Sequence, residues 1–261
     1  MTSILVKNQV KKKSKPNEFD FVMIALLSQI VVSLQNMVAQ LQLQLNASLY
    51  LRDPQSTDLG QKIVCESIHL IDEIGFEAFT FKKLSQRIHS TEASIYRYFE
   101  NKHRLLIYLI AWYWSYLEYK ITFETNNIAD PKEKLKAAIR FITHKLSDDA
   151  NFSLISESAL QRVVILESDK TYLTKNVDVD NKEGLFRGYK SLCVTIANLM
   201  KAVNPTFKYP HSLTSTCLEA AHQQVFFAQH LPTLSDISNE SDIYDKNYEF
   251  LTTIIFNTLE K

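Results

Sequence analysis

Thr91, Glu92, Ala93, Ser94, Tyr96, Arg97 and Tyr98 fall within eight positions, with Thr80 and Lys82 before them and Lys102 after. Most of these side chains are suited to making hydrogen bonds with a large polar partner. Arginine can pair in two-pronged fashion with guanine, and serine and tyrosine reach phosphate or a base edge. Glutamate can accept from a cytosine amine, and lysine neutralises phosphate. The chemistry suggested is recognition of duplex DNA.

Other reactive groupings are weaker. Glu219 and His222 stand at i and i+3, as in half of a di-iron carboxylate site. A full site would need a second such pair and two further inward glutamates, so His222 is read as an ordinary core or surface histidine. Asp178, Asp180 and Glu183 lack the sixth-position glycine and the twelve-residue spacing of a calcium loop, and are read as a charged linker. Four glycines in 261 residues cannot supply a phosphate-binding loop or a dinucleotide fingerprint. There is no nucleophile elbow and no HExxH, and the seven histidines are dispersed. The expectation is a chain with no catalytic residues, no metal and no cofactor.

The elements that would position the recognition series are helices. So little glycine, with six prolines spaced far apart, argues against many short strands. Asp58 and Gln61 can open a helix in capping-box fashion, its stripe of Leu59, Ile63, Val64, Leu70, Ile71 and Ile74 ending at Gly75. Thr80 can cap a short helix from Phe81 to Ile88, with Phe81, Leu84 and Ile88 on one face. His89 and Ser90 interrupt it, and Thr91 can cap a third helix through Phe99, with Ile95 and Phe99 turned inward. Two short helices joined by a tight turn and covered by a first helix make the layout of a helix-turn-helix reader.

Charge follows the same map. The chain carries 29 basic and 29 acidic residues, yet residues 80–104 hold six basic against two acidic, and residues 1–16 hold five lysines and no acid. The aromatic helix that follows, Lys102 to about Glu124, contains Tyr108, Trp112, Tyr113, Trp114, Tyr116, Tyr119 and Phe123, a cluster read mainly as core. Further helices are expected near 131–147, 153–168, 182–203, 211–230 and 239–260. Upstream, Phe19 to about Tyr50 reads as one long amphipathic helix with Leu27, Ile30, Leu34, Met37 and Leu41 on one side. Asp20, Ser28, Gln29 and Gln35 break its apolar run below the ~18 residues a membrane span needs. Lys7, Lys11, Lys12, Lys13 and Lys15 suit either a flexible arm on the DNA backbone or a solubilising tail. Cys65, Cys193 and Cys217 are odd in number and outside any CxxC pattern, which reads as free thiols in a cytoplasmic protein.

The run from Gly75 to Leu106, GFEAFTFKKLSQRIHSTEASIYRYFENKHRLL, resembles the DNA-binding motif of the TetR/AcrR family of bacterial transcriptional regulators. The likeness rests on Gly75, Phe76, Thr80, Leu84, Ser85, Thr91, Ser94, Ile95, Tyr96, Tyr98, Phe99, Lys102 and Leu105. It departs at His89, where glycine is usual, at Ser90, where a small apolar residue is usual, and at His103, where an acid often follows the lysine. By that resemblance Lys82 approaches DNA from the second helix. Thr91, Glu92, Ala93, Ser94, Arg97 and Tyr98 face the major groove, while Tyr96 and Lys102 grip phosphates.

The resulting expectation is an all-α protein in three parts: a basic arm and amphipathic helix (1–56), a helix-turn-helix domain (57–106), and a helical ligand-binding and dimerisation domain (107–261). The resemblance implies a homodimeric repressor, released from a palindromic operator in double-stranded DNA by an unidentified small-molecule effector, apolar or amphipathic. It places the dimer contact on the last two long helices, with Leu213, Leu218, Ala221, Val225, Phe226, Tyr248, Leu251, Ile254, Ile255 and Leu259 suiting that contact or an internal core equally. The competing reading is a helical-bundle protein, either a docking module or a metal-dependent enzyme.

Overall fold

The computed structural model describes residues 43–148, 155–237 and 242–260, and every regular element among them is helical. Most of the expected 19–50 helix and the lysine arm lie outside these residues. The part of that helix which is described, from Leu43 onward, is irregular chain with a short 3-10 turn at Ala47–Leu49. Asn46 caps that turn and sends its amide across to the Glu183 and Gly184 carbonyls, each at 2.8 Å, so the segment is tied down by long-range contacts.

Eleven α-helices follow among the described residues. α1 (Asp58–Ala78), α2 (Phe81–Arg87) and α3 (Glu92–Tyr96) form the first group. The first helix begins at Thr57, whose hydroxyl accepts from the Gly60 amide, rather than in an Asp58/Gln61 capping box. Gly75 interrupts it at φ 75°, a left-handed conformation open to glycine, and the chain makes one further turn before leaving at Phe79. The long helix α4 (Lys102–Thr125) crosses residue 106 without a break, and α5 (Pro131–Thr143) and α6 (Glu157–Glu167) pack against it. Two short helices, α7 (Asp169–Tyr172) and α8 (Val177–Lys182), lead to α9 (Arg187–Val203), α10 (Pro210–His230) and α11 (Ile243–Leu259).

The stretch read as a charged linker is therefore the helix α8. Its Asp180 is buried, with carboxylate oxygens 3.8 Å from Arg104 and from His103, while Glu183 lies 2.7 Å from Arg104. Ion pairing across 79 positions in the chain leaves no local trace in the sequence.

α4 is the hub, packing on α5, α6, α7 and α9, while α10 lies against α9 and α11. Tyr108, Trp112, Tyr113, Trp114 and Tyr116 are all buried, as expected of core aromatics, and Phe123 alone of the cluster is largely exposed, at 65%. α9 approaches α4 closely because residue 188 is glycine: a Cβ there would stand 2.6 Å from the Ser115 hydroxyl and 3.0 Å from the Ala111 carbonyl. Leu218, Ala221, Val225, Leu251, Ile255 and Leu259 are at most 2% exposed and form core within the chain. Of the residues suited to either role, Ile254 stays 37% exposed.

Candidate nucleic-acid interface

The turn between α2 and α3 is built from local chemistry. Thr80 accepts the Lys83 amide and opens α2, whose Phe81, Leu84 and Ile88 are buried. Burying each such side chain contributes about 1.5–3 kcal/mol. His89 then adopts φ 54°, a region where histidine is commoner than most non-glycine residues. The Ser90 amide closes back on the Ser85 carbonyl at 2.9 Å. Thr91 caps α3 by accepting the Ser94 amide, and its hydroxyl lies 2.9 Å from that of Ser94. Ile95 and Phe99, fully buried, anchor the helix from below.

This anchoring fixes which side chains face out. Lys82, Thr91, Glu92, Ala93, Tyr96 and Arg97 are exposed, as is Thr80, and Ser94 is half-buried. The Tyr96 ring meets Phe81 edge-on with centroids 5.0 Å apart, which holds it at the surface with 48% of its area open.

Two residues depart from the expected roles. Tyr98 does not face a groove: it is 2% exposed, its hydroxyl lies 2.8 Å from that of Thr57, and its carbonyl accepts the Leu51 amide. α3 ends at Tyr96, so residue 98 turns inward beneath the start of α1. Lys102 is occupied within the fold. Its ammonium donates to the Phe76, Glu77 and Phe79 carbonyls at 3.1–3.2 Å and stands 4.7 Å over the Phe76 ring. The break at Gly75 strands carbonyl groups that need a donor, and this lysine supplies it.

Most of the other basic residues are engaged as well. Arg87 binds Glu66 through Nε at 2.6 Å and grips Glu73 with both terminal nitrogens; its basicity is raised, mainly by the Glu73 bonds and then by Glu66. Lys83 donates to the Ala78 carbonyl, and Arg104 pairs with Glu183. Lys82 and Arg97 are the two basic side chains of 80–104 with no ion pair or hydrogen bond among the described residues. Sequence reading missed Arg52, exposed and 5.5 Å over the Tyr98 ring. Its only signal was a lone cation just ahead of α1.

The α1–α3 unit is held in place through α6. Arg162 clasps Asp72 of α1 with contacts of 2.7–3.1 Å. Buried Glu167 accepts the Phe76 amide at 3.0 Å and also pairs with Lys170, which reaches Glu77. α4 and α6 thus fasten the same broken turn, one by its carbonyls and the other by an amide.

No group of three or more His, Cys, Asp or Glu side chains among the described residues is placed to hold a metal ion. Glu66 and His69 share the spacing of Glu219 and His222, but Glu66 is bound to Arg87. His222 is buried, stacked on Trp114 at 5.3 Å and 3.3 Å from the Tyr113 hydroxyl. None of the helices among the described residues is long and apolar enough to cross a membrane.

Residues 63–109 match the family model of bacterial regulatory proteins, tetR family. No curated protein matches the chain. Among solved structures the fold is similar to AibR in complex with isovaleryl coenzyme A and operator DNA (TM-score 0.51, 14% identity, 75% of this chain and 98% of that one). It is also similar to the fatty acid degradation regulator FadR from Bacillus halodurans (0.52, 16%, 74% and 92%). A third similar structure was solved in work on the control of antibiotic production by bacterial hormones (0.54, 12%, 77% and 98%). These likenesses concern fold. The family match itself covers most of α1, then α2, α3 and the start of α4, and the likeness over the rest of the chain is one of fold.

Proposed function

We propose that the chain regulates transcription by binding a palindromic operator as a homodimer, and that a small apolar or amphipathic effector releases it. The observation that carries this reading is the α2–α3 unit, which buries Phe81, Leu84, Ile95 and Phe99 while presenting Lys82, Thr91, Glu92, Ser94, Tyr96 and Arg97 on its open side. In this reading Arg97, Glu92 and Ser94 read base edges, while Lys82, Tyr96 and Thr91 meet phosphate. Thr80 holds α2, and Lys102 acts by setting the end of α1. Residues 57–106 serve as the reader and 107–261 as the effector and dimer domain.

Pairing of two chains is assigned to the open side of α10 and α11, where Phe250 and Ile254 are 40% and 37% exposed. Two recognition helices on successive major-groove faces read a palindrome far more tightly than one. AibR was solved with an acyl coenzyme A and operator DNA together, and we extend to this chain the arrangement in which one helical protein reads both. The chain is assigned to the cytoplasm, where its operator lies.

The test is selection of bound sequences from a random double-stranded DNA pool at about physiological salt, where non-specific phosphate binding is suppressed. Recovery of a palindrome supports the reading. A folded, ligand-free dimer that enriches no sequence refutes it.

A further inference from the structure

Between α1, α6, α10 and the start of α11 lies a cavity of about 510 Å³, within the ~300–1,000 Å³ range of small-molecule sites. Ile165 and Leu166 form one apolar wall, and Val225 and Phe226 form the other. Part of the lining is basic. Lys145 and Arg162 both contribute, and His230 adds a third basic group. Asp72 is the single carboxylate in the lining, and Arg162 already holds it. Asp148 stands nearby, with its oxygens engaged by Ser156 and by the Ser158 amide. Lys145 has no ion-pair partner among the described residues. Apolar walls leading to cations describe a receptor for an amphipathic anion. A neutral apolar molecule would leave Lys145 facing it without a counter-charge, at a desolvation cost. An organic cation would meet like charge.

We propose that this cavity is the effector site and that it takes a small amphipathic carboxylate, whose headgroup binds Lys145 and Arg162 and whose hydrocarbon lies along Ile165, Val225 and Phe226. The inference rests on the proposed function for its regulatory meaning. Arg162 and Glu167 are the α6 side chains that hydrogen-bond to α1 among the described residues. A carboxylate that draws Arg162 from Asp72 loosens the body's hold on the reader. The ligand favours the released state by the difference between its affinities for the two arrangements of that arginine.

The test uses the full chain and two probes of similar tail length, decanoate below its micelle-forming concentration and decyltrimethylammonium, titrated by calorimetry. Decanoate is expected to bind with one site per chain, and decyltrimethylammonium is not. Arg162→Met should weaken decanoate by about tenfold or more, a change of ~1.4 kcal/mol. Lys145→Gln, at an exposed position that leaves the fold intact, should weaken it by about threefold. Asp72→Asn should tighten it, because the competing carboxylate is gone. Equal binding of both probes, or decanoate binding unaffected by Lys145→Gln and Arg162→Met, overturns the site. On a selected operator fragment decanoate should release the wild-type chain, Lys145→Gln should need more decanoate for release, and Arg162→Met, which lacks the clasp on Asp72, should bind weakly even without decanoate. Binding without release overturns the coupling and keeps the site. Failure to select any operator overturns the regulator reading alone, and the calorimetry still decides the cavity.

Discussion

The reader, α1 to α3 with the start of α4, and the body from α4 to α11 are both helical, yet they are specified in different ways. Every helix of the reader starts on a side chain that accepts a backbone amide: Thr57, Thr80, Thr91 and Asn101. In the body α5 and α6 still start this way, on Asp130 and Ser156, but from α7 onward no helix does. The body is held instead by interlocked aromatics, with Trp114 stacked between Tyr189 at 4.9 Å and His222 at 5.3 Å. The reader is defined residue by residue along the chain, which lets short helices keep one geometry and leave a face open. The body is defined by tertiary fit.

The sharpest way to break this contrast is Trp114→Ala. Emptying a fully packed site should cost about 3–5 kcal/mol in urea denaturation, and a loss below ~1 kcal/mol would mean the body does not depend on its aromatic core. Acid is the next probe. Burial pushes the His222 imidazole down to about 4, against some attraction from Asp169. The folded chain then binds fewer protons than the unfolded one between pH 4 and the ordinary ~6.5, so stability is complete above that window and falls as pH drops through it. The loss at pH 4 is on the order of 3 kcal/mol, and His222→Phe should flatten that part of the pH–stability curve. At the junction of the two regions, Glu167→Leu leaves the Phe76 amide without its acceptor, costing ~1–3 kcal/mol and weakening operator binding. Glu167→Gln, which keeps an acceptor, should recover most of both.

On the reader itself, Arg97→Ala should weaken operator binding by about 1–3 kcal/mol and relax one base pair. Lys82→Ala should weaken all sequences alike and flatten the salt slope by about one unit. Anisotropy titrations on matched and mismatched duplexes separate the two. The smallest effect is the most direct test of local specification. Thr91→Ala should lose ~1 kcal/mol of stability, whereas Asn176→Ala, at the uncapped start of α8, should change it by less than ~0.5 kcal/mol.

What was legible in the sequence follows the same division. The caps at Thr80 and Thr91, the break at His89 and Ser90 and the inward Ile95 and Phe99 depend on neighbours within four residues, and each was readable from spacing. Tyr98 and Lys102 were misjudged because their partners lie elsewhere: Thr57 is 41 positions from Tyr98, and Phe76 is 26 from Lys102. Neither the Arg162 clasp on Asp72, 90 positions apart, nor the Glu167 contact with Phe76, 91 apart, has any local signature. The positive charge of 80–104 was read correctly as a sum, but the fold absorbs much of it.

The two tryptophans of the chain, Trp112 and Trp114, both stand buried on α4. Tryptophan fluorescence therefore has a single source region, the middle of the helix that joins reader to body. Its emission maximum reports whether that helix stays dry. Because an imidazolium quenches an adjacent indole far more than a neutral imidazole does, its intensity reports the charge on His222. The protein carries its own optical probe at the hub of its fold, and no label is needed to watch it.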